Sequence, residues 1–60
     1  MYAVILFFEE SDAYGTVSRS YTGKVIVPFT GFKPNKGEIW LCRLEDIGKC
    51  FIAHPVYKIR

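Results

Sequence analysis

The sequence predicts a small all-β fold of five strands, and three observations support it. Stretches of β-branched and aromatic residues recur along the chain. Glycine, proline and short polar stretches separate them, and no helical period of useful length is present. Strands of about six residues joined by short turns are typical of a barrel or a compact sandwich. Sixty residues leave room for one hydrophobic core, so we expect a single domain over 1–60.

The first two strands are predicted at Tyr2–Phe8 and Tyr14–Ser20, with the polar break Glu9–Asp12 between them. Both alternating faces of the first strand are apolar, which indicates a strand that is central or carries aromatic rings outward. Gly15 lies inside the second strand, where a glycine marks a bulge or a close approach of another backbone. Tyr21–Gly23 predicts a turn, because its glycine adopts a positive φ without steric cost.

The third strand is predicted at Lys24–Phe29 and has the strongest strand composition of the chain. Pro28 has no backbone N–H, so it belongs at the end of this strand or at an edge of the sheet. Thr30–Gly37 holds two glycines and a proline among polar residues, which predicts a loop.

The last two strands are predicted at Glu38–Glu45 and Lys49–Ile59, joined by a hairpin connection at Asp46–Gly48. Pro55 interrupts the last strand near its end. Alternation along the fourth strand directs one set of side chains inward, namely Trp40, Cys42 and Leu44. The other set faces outward and consists of Ile39, Leu41 and Arg43.

The two cysteines are predicted to be free thiols. In the last strand, alternation directs Phe51 and Ala53 inward and Cys50 outward. Cys42 and Cys50 therefore face apart, which disfavours a disulfide. Together with His54 they are too few and too scattered for a structural zinc site, so no metal is expected.

Several classes of function are disfavoured by the sequence. The longest apolar run, 3–8, is far shorter than the about 20 residues of a spanning helix, so no membrane association is expected. The first charged residues are acidic, unlike those of a secretory signal, and we expect a cytoplasmic protein. No nucleophile–base motif or phosphate-binding loop is present, so neither catalysis nor a cofactor is expected.

Motifs in order along the chain resemble those of the cold-shock domain. They are Ala3–Phe8 followed by Tyr14–Val17, then Val25–Phe29, Gly37–Trp40, and Gly48 with Ala53–Val56. The chain also resembles the TRAM domain in Gly15–Arg19, Gly23–Pro28, Gly37–Glu38 and Ala53. Both families are small OB-type barrels that bind nucleic acid. The resemblance implies a single five-stranded antiparallel OB-type barrel and a non-catalytic, RNA-chaperone or regulatory role.

The chain departs from the cold-shock pattern at several binding positions. Thr16 and Ile26 stand where that family has stacking phenylalanines, Pro28 where it has a histidine, and Asp12 where it has a lysine. The aromatic residues that remain are Phe7, in place of the family tryptophan, and Phe8, Tyr14 and Phe29.

Charge is distributed unevenly along the chain. Residues 1–18 contain three acidic residues and no basic one, whereas residues 19–60 contain eight basic and three acidic residues. A basic surface suits a phosphate backbone, and outward aromatic rings suit unpaired bases. We therefore expect single-stranded RNA or DNA, with RNA favoured, to bind Phe7, Tyr14, Phe29, Arg19, Lys24, Lys33, Lys36 and Arg43. Lys49 and Lys58 on the last hairpin extend this rim.

The alternative function is a protein-interaction or assembly domain that binds little nucleic acid. Its contact would be formed by the outward apolar residues Ile39 and Leu41, with a partner protein or a second copy of the chain. Ordinary solubilising charge explains the lysines equally well in that case.

Overall fold

Six strands make up all the regular structure of the computed structural model, which describes residues 1–60. Their bounds are β1 Tyr2–Leu6, β2 Glu9–Ser11, β3 Gly15–Arg19, β4 Val25–Pro28, β5 Ile39–Asp46 and β6 Phe51–Lys58. They form one strongly curled half-barrel sheet in the order β1-β5-β6-β4-β3-β2. The predicted all-β fold is confirmed. The structure has no helix that could cross a bilayer.

The predicted first strand bends at Phe7 and Phe8, and its two halves pair with different strands. β1 pairs with β5, and β2 pairs with β3, both antiparallel. At the bend, the Phe7 N–H donates to Glu38 O at 3.0 Å and the Phe8 N–H donates to Val17 O at 3.3 Å. β2 occupies the stretch predicted as a polar break, because backbone pairing with β3 holds it extended despite its polar side chains.

This bend accounts for the difference between five predicted strands and six observed ones. When β1 and β2 are counted as halves of one bent strand, the sheet has five strands, and its two end strands are the two halves of that bent strand. The architecture is compatible with a small OB-type barrel.

One strand pair corrects the prediction of an antiparallel sheet. β4 and β6 are parallel, with Ile26 opposite Phe51 and Pro28 opposite Ala53. A parallel pair needs a long crossover, which the 29–38 loop and β5 supply here. Pro28 is the last residue of β4, as its missing N–H predicts.

The main core lies on the concave side of the sheet. Its buried residues are Ile5, Phe7, Ile26, Cys42, Leu44 and Ala53, with Ala3, Phe32, Trp40 and Phe51 packed against them. The inward positions predicted for β5 and β6 are therefore confirmed, and Trp40 is half-buried. A smaller cluster of Val17, Val27 and Cys50 lies on the opposite face of β4. Cys42 and Cys50 belong to different clusters and are free thiols.

Glu38 holds the long loop to the end of the barrel. Its carboxylate accepts hydrogen bonds from the Asn35 backbone N–H at 2.8 Å and from Trp40 Nε1 at 3.2 Å, and Lys58 Nζ lies at 2.9 Å. These donors, the Asn35 N–H foremost and then Lys58 and Trp40, lower the pKa of Glu38 from 4.5 to about 2. The folded chain therefore binds fewer protons at this carboxyl than the unfolded chain does.

We expect Glu38→Gln to reduce the fall in the free energy of unfolding between pH 4.5 and about pH 2. Because the folded pKa is depressed, the contribution of Glu38 is fully present above pH 4.5 and is lost as pH falls to about 2. The variant should be less stable than the native chain near neutral pH, and the two free energies of unfolding should converge toward pH 2. Urea titrations across this range measure the difference.

Asp12→Asn is the matched control, because Asp12 is exposed and its side chain makes no hydrogen bond or ion pair in the fold. Its free energy of unfolding should change with pH in the same way as that of the native chain. A Glu38→Gln curve that also runs parallel would contradict the role assigned to Glu38.

Candidate nucleic-acid interface

Phe29 and His54 form an aromatic pair on the convex side of the sheet. β4 ends at Pro28, and the Phe29 N–H then donates to Ala53 O at 2.8 Å, which fixes Phe29 beside β6. Its ring lies 4.9 Å from the His54 ring between centroids, at an interplanar angle of 37°. Phe29 is 49% exposed, so its ring is accessible to a ligand while one neighbour orients it.

Tyr14 lies next to this pair. It directly precedes Gly15, whose φ of 76° turns the chain into β3. Tyr14 is 47% exposed and borders a depression of about 310 Å³ together with Val27, Phe29 and His54. Two accessible aromatic rings, those of Tyr14 and Phe29, therefore border the same depression.

Three cations without an ion pair lie near these rings. Lys33 lines one depression of about 430 Å³ with Tyr14 and another of about 490 Å³ with Phe29. Lys49 borders a further depression of about 290 Å³ with Tyr14. Arg43 on β5 is the cross-strand neighbour of His54 and is exposed. None of the three has a carboxylate within salt-bridge distance.

Carboxylates on the same surface limit its positive potential. Glu45 Oε1 lies 2.9 Å from His54 Nε2, and Glu10 accepts a hydrogen bond from Thr16 Oγ1 at 3.3 Å. Glu9 is paired with Arg19. The arrangement offers rings for bases and a few cations for phosphates, but it is no strongly basic groove.

The structure contradicts the prediction that Phe7 stacks on a base, because Phe7 is fully buried. It shares the inward face of the bent first strand with Ile5 and packs edge-on against Phe32, with 5.7 Å between centroids. A ring with no accessible face has no surface on which a base can stack. Phe8, the next residue, is the exposed one, and it faces a separate groove beside β1.

Two of the residues predicted to contact phosphate form ion pairs within the chain. Arg19 forms a two-point contact with Glu9, with Nε–Oε2 at 3.0 Å and Nη2–Oε1 at 3.3 Å. Lys24 Nζ lies 2.6 Å from Asp46 Oδ1 and 4.7 Å from the centroid of the Phe51 ring. The hydrogen bond from Lys24 and one from the Gly48 N–H lower the pKa of Asp46. Both cations thus already have a carboxylate partner.

The other predicted residues are exposed or half-buried. Lys36 is exposed in the 29–38 loop and has no ion pair, and it borders none of the depressions around Tyr14 and Phe29. Lys58 is held by Glu38. Ile39 and Leu41 are half-buried and stand opposite Leu6 and Val4 of β1.

His54 is the part of this surface that the sequence did not reveal. It reaches Phe29 only because β4 and β6 pair in parallel, which is a non-local contact with no signal in the local pattern. The strand faces also differ from those that the cold-shock resemblance implies. Thr16 and Ile26, which align with stacking phenylalanines, are buried, and Ile26 belongs to the main core.

Comparisons of the chain with protein-family models, with curated proteins and with solved structures give no match.

We expect unequal stability effects at Phe7 and Tyr14, two of the rings predicted to stack on bases. Phe7→Ala should cost about 3–5 kcal/mol of unfolding free energy, because it leaves a cavity in the core. Tyr14→Ala should cost about 1 kcal/mol or less, because the residue is half exposed. Urea unfolding of the two variants measures the difference, and equal costs would contradict the placement of Phe7.

Proposed function

We propose that this chain binds single-stranded nucleic acid, and RNA in particular, through the convex face around Tyr14 and Phe29. The observation that carries the proposal is that these two exposed rings border one depression. Three cations without ion pairs lie near it: Lys33 and Lys49 border other depressions that Tyr14 also lines, and Arg43 is the cross-strand neighbour of His54. The motif resemblance to cold-shock and TRAM domains supports the choice of RNA.

The position of the rings also supports the proposal. OB-type barrels bind oligonucleotides on the face of their second and third strands and on the loops beside them. With the bent first strand counted once, those strands are β3 and β4. Tyr14 directly precedes β3 and Phe29 directly follows β4, so both rings lie at the ends of this face.

The binding is expected to be weak and dependent on salt. Each base stacked on an aromatic ring contributes about 1–3 kcal/mol, so two rings supply about 2–6 kcal/mol. A micromolar complex requires about 8 kcal/mol, and the cations must provide the remainder. If three phosphates are neutralised, the logarithm of affinity falls with the logarithm of salt concentration at a slope of about −2.

Alanine substitution at either ring should weaken binding. We expect Tyr14→Ala and Phe29→Ala each to raise the dissociation constant about fivefold or more, since each ring stacks one base. The measurement is fluorescence anisotropy of a labelled single-stranded RNA in low salt. Phe8→Ala is the matched control, because Phe8 is similarly exposed but faces the groove beside β1.

The proposal predicts an unchanged dissociation constant for the Phe8 variant. Absence of binding by the native chain at a concentration of about 100 μM protein, where even a complex of only about 5 kcal/mol would be detected, would refute it. An equal loss in all three variants would place the site elsewhere.

A free lysine and a paired arginine should differ in their effect on salt dependence. Lys33→Gln is expected to reduce the magnitude of the salt slope by about 0.7, the value for one phosphate contact on a single strand. Arg19→Gln should leave the slope unchanged, because Glu9 already holds Arg19. Anisotropy titrations at four or more salt concentrations give both slopes, and a larger change for Arg19→Gln would reverse the assignment.

A second candidate function is an assembly domain that contacts protein through β1 and β5. It is favoured by one observation, the outward apolar surface in which exposed Val4 and Leu6 stand opposite half-buried Leu41 and Ile39. Contiguous apolar surface of this kind marks protein contacts in soluble domains.

A further inference from the structure

The sheet has two free edges, and they differ in chemistry. The β2 edge is three residues long and carries Glu9 and Glu10, and short charged edge strands resist pairing with another chain. The β1 edge is five residues long, Tyr-Ala-Val-Ile-Leu, with no charge and no proline. Only the β1 edge lacks the features by which proteins protect an edge strand.

The backbone groups of three β1 residues face the open edge. The Leu44 N–H donates to Met1 O, and the Phe7 N–H donates to Glu38 O. The backbone N–H and C=O groups of the odd-numbered residues in this segment therefore point toward β5 and the residue before it. In an antiparallel pair the intervening residues point the other way. The N–H and C=O groups of Tyr2, Val4 and Leu6 therefore point away from β5, and no strand pairs with β1 on that side.

An apolar groove of about 440 Å³ follows this edge. β1 forms one wall, and Ser18–Tyr21 with Ile26, Leu44 and Phe51 forms the other. Tyr21 is fully exposed beside it. Six of the twelve exposed large hydrophobic residues of the chain lie on β1 or line this groove: Met1, Tyr2, Val4, Leu6, Phe8 and Tyr21.

We propose that β1 is the contact of a symmetric homodimer, in which it pairs antiparallel with β1 of a second copy about a twofold axis at Val4. This inference rests on the second candidate function and is independent of nucleic-acid binding. It identifies the partner as the chain itself and the contact as backbone pairing between edge strands.

The strand is complementary to itself in this register. Tyr2 stands opposite Leu6 of the second copy, and Val4 stands opposite Val4. All three positions have outward-facing N–H and C=O groups, so each of these pairs exchanges two hydrogen bonds. Apolar side chains then lie opposite apolar side chains on both copies, and the twofold symmetry makes the two halves of the contact identical.

Charge does not oppose contact between two copies at this edge. The chain has a net charge of +2, so two copies repel when their basic surfaces meet. Arg19 is the one charged side chain lining the groove, and Glu9 neutralises it. A standard interface takes about 800 Å² from each partner, which is about a fifth of the 3968 Å² surface of this chain. The edge strand and its groove carry half of the exposed large hydrophobic residues on that surface.

Sedimentation velocity over a hundredfold range of protein concentration tests the proposal. The native chain should show a reversible monomer–dimer equilibrium whose dissociation constant changes little with salt, because no charged pair forms the contact. Val4→Lys should raise that constant about tenfold or more, since it puts two like charges at the axis and removes two buried valines. Val4 is 62% exposed in the single chain, so the fold should tolerate the change.

Val56→Lys is the matched control, because Val56 is also exposed but lies on β6 away from β1. It should dimerise like the native chain. Hydrogen exchange of the native chain gives a readout without any substitution: the amides of Tyr2, Val4 and Leu6 should become protected as concentration rises. A monomer at every concentration, a dimer unaffected by Val4→Lys, or unprotected amides in a dimer would each overturn the proposal.

The RNA affinity of Val4→Lys separates this proposal from the nucleic-acid function. Tyr14 and Phe29 lie outside the groove, so a monomeric Val4→Lys chain should bind the labelled RNA with the native dissociation constant. A Val4→Lys chain that stays dimeric and binds RNA with the native dissociation constant would refute the dimer proposal alone. A Val4→Lys chain that becomes monomeric and loses RNA binding would refute the site assigned to RNA alone.

Discussion

The bend at Phe7 and Phe8 is the constraint on which the other contacts depend. A strand has two edges, and this one uses a different edge in each half, with β5 on one side and β3 on the other. The Phe7 ring enters the core at the bend and meets Phe32, which in turn packs against Trp40 at 4.7 Å between centroids. Burial of this ring and the backbone hydrogen bonds on either side of it fix the curvature of the sheet.

That curvature decides which residues can act together on the surface. It makes β4 the neighbour of both β3 and β6, so the residue after β4 lies beside β6 and the residue before β3 lies across the same face. Tyr14, Phe29 and His54 come from three distant parts of the sequence and meet there. The same bend leaves β1 without a neighbour on its outer edge, which makes that edge available for a second chain.

The sequence predicted the fold class and the strand positions well, because alternation and turn residues are local signals. It also predicted the inward positions of Cys42, Leu44 and Ala53 and the separation of the two cysteines. The turn at Tyr21–Gly23 was predicted correctly, and its glycine has a φ of 82°. The strand in the acidic stretch 9–11 was missed, because its partner, not its composition, makes it extended.

The site was predicted less completely, for physical reasons. Both faces of the first strand are apolar, so the pattern held no information on which way Phe7 points. Arg19 and Lys24 were predicted to be free because their carboxylate partners, Glu9 and Asp46, are 10 and 22 residues away. His54 was missed because parallel pairing of β4 and β6 leaves no local trace. Tyr14, Phe29, Lys33 and Arg43 were placed on the accessible surface as expected, and their role in binding stays a prediction.

A backbone amide chemical-shift map with single-stranded RNA, recorded at two salt concentrations, tests the central claim most directly. We expect shifts confined to the face around Tyr14, Val27, Phe29, Lys33 and His54, and smaller shifts at the higher salt concentration. Shifts confined to Tyr2–Leu6, or no shifts at the lower salt concentration, would contradict it.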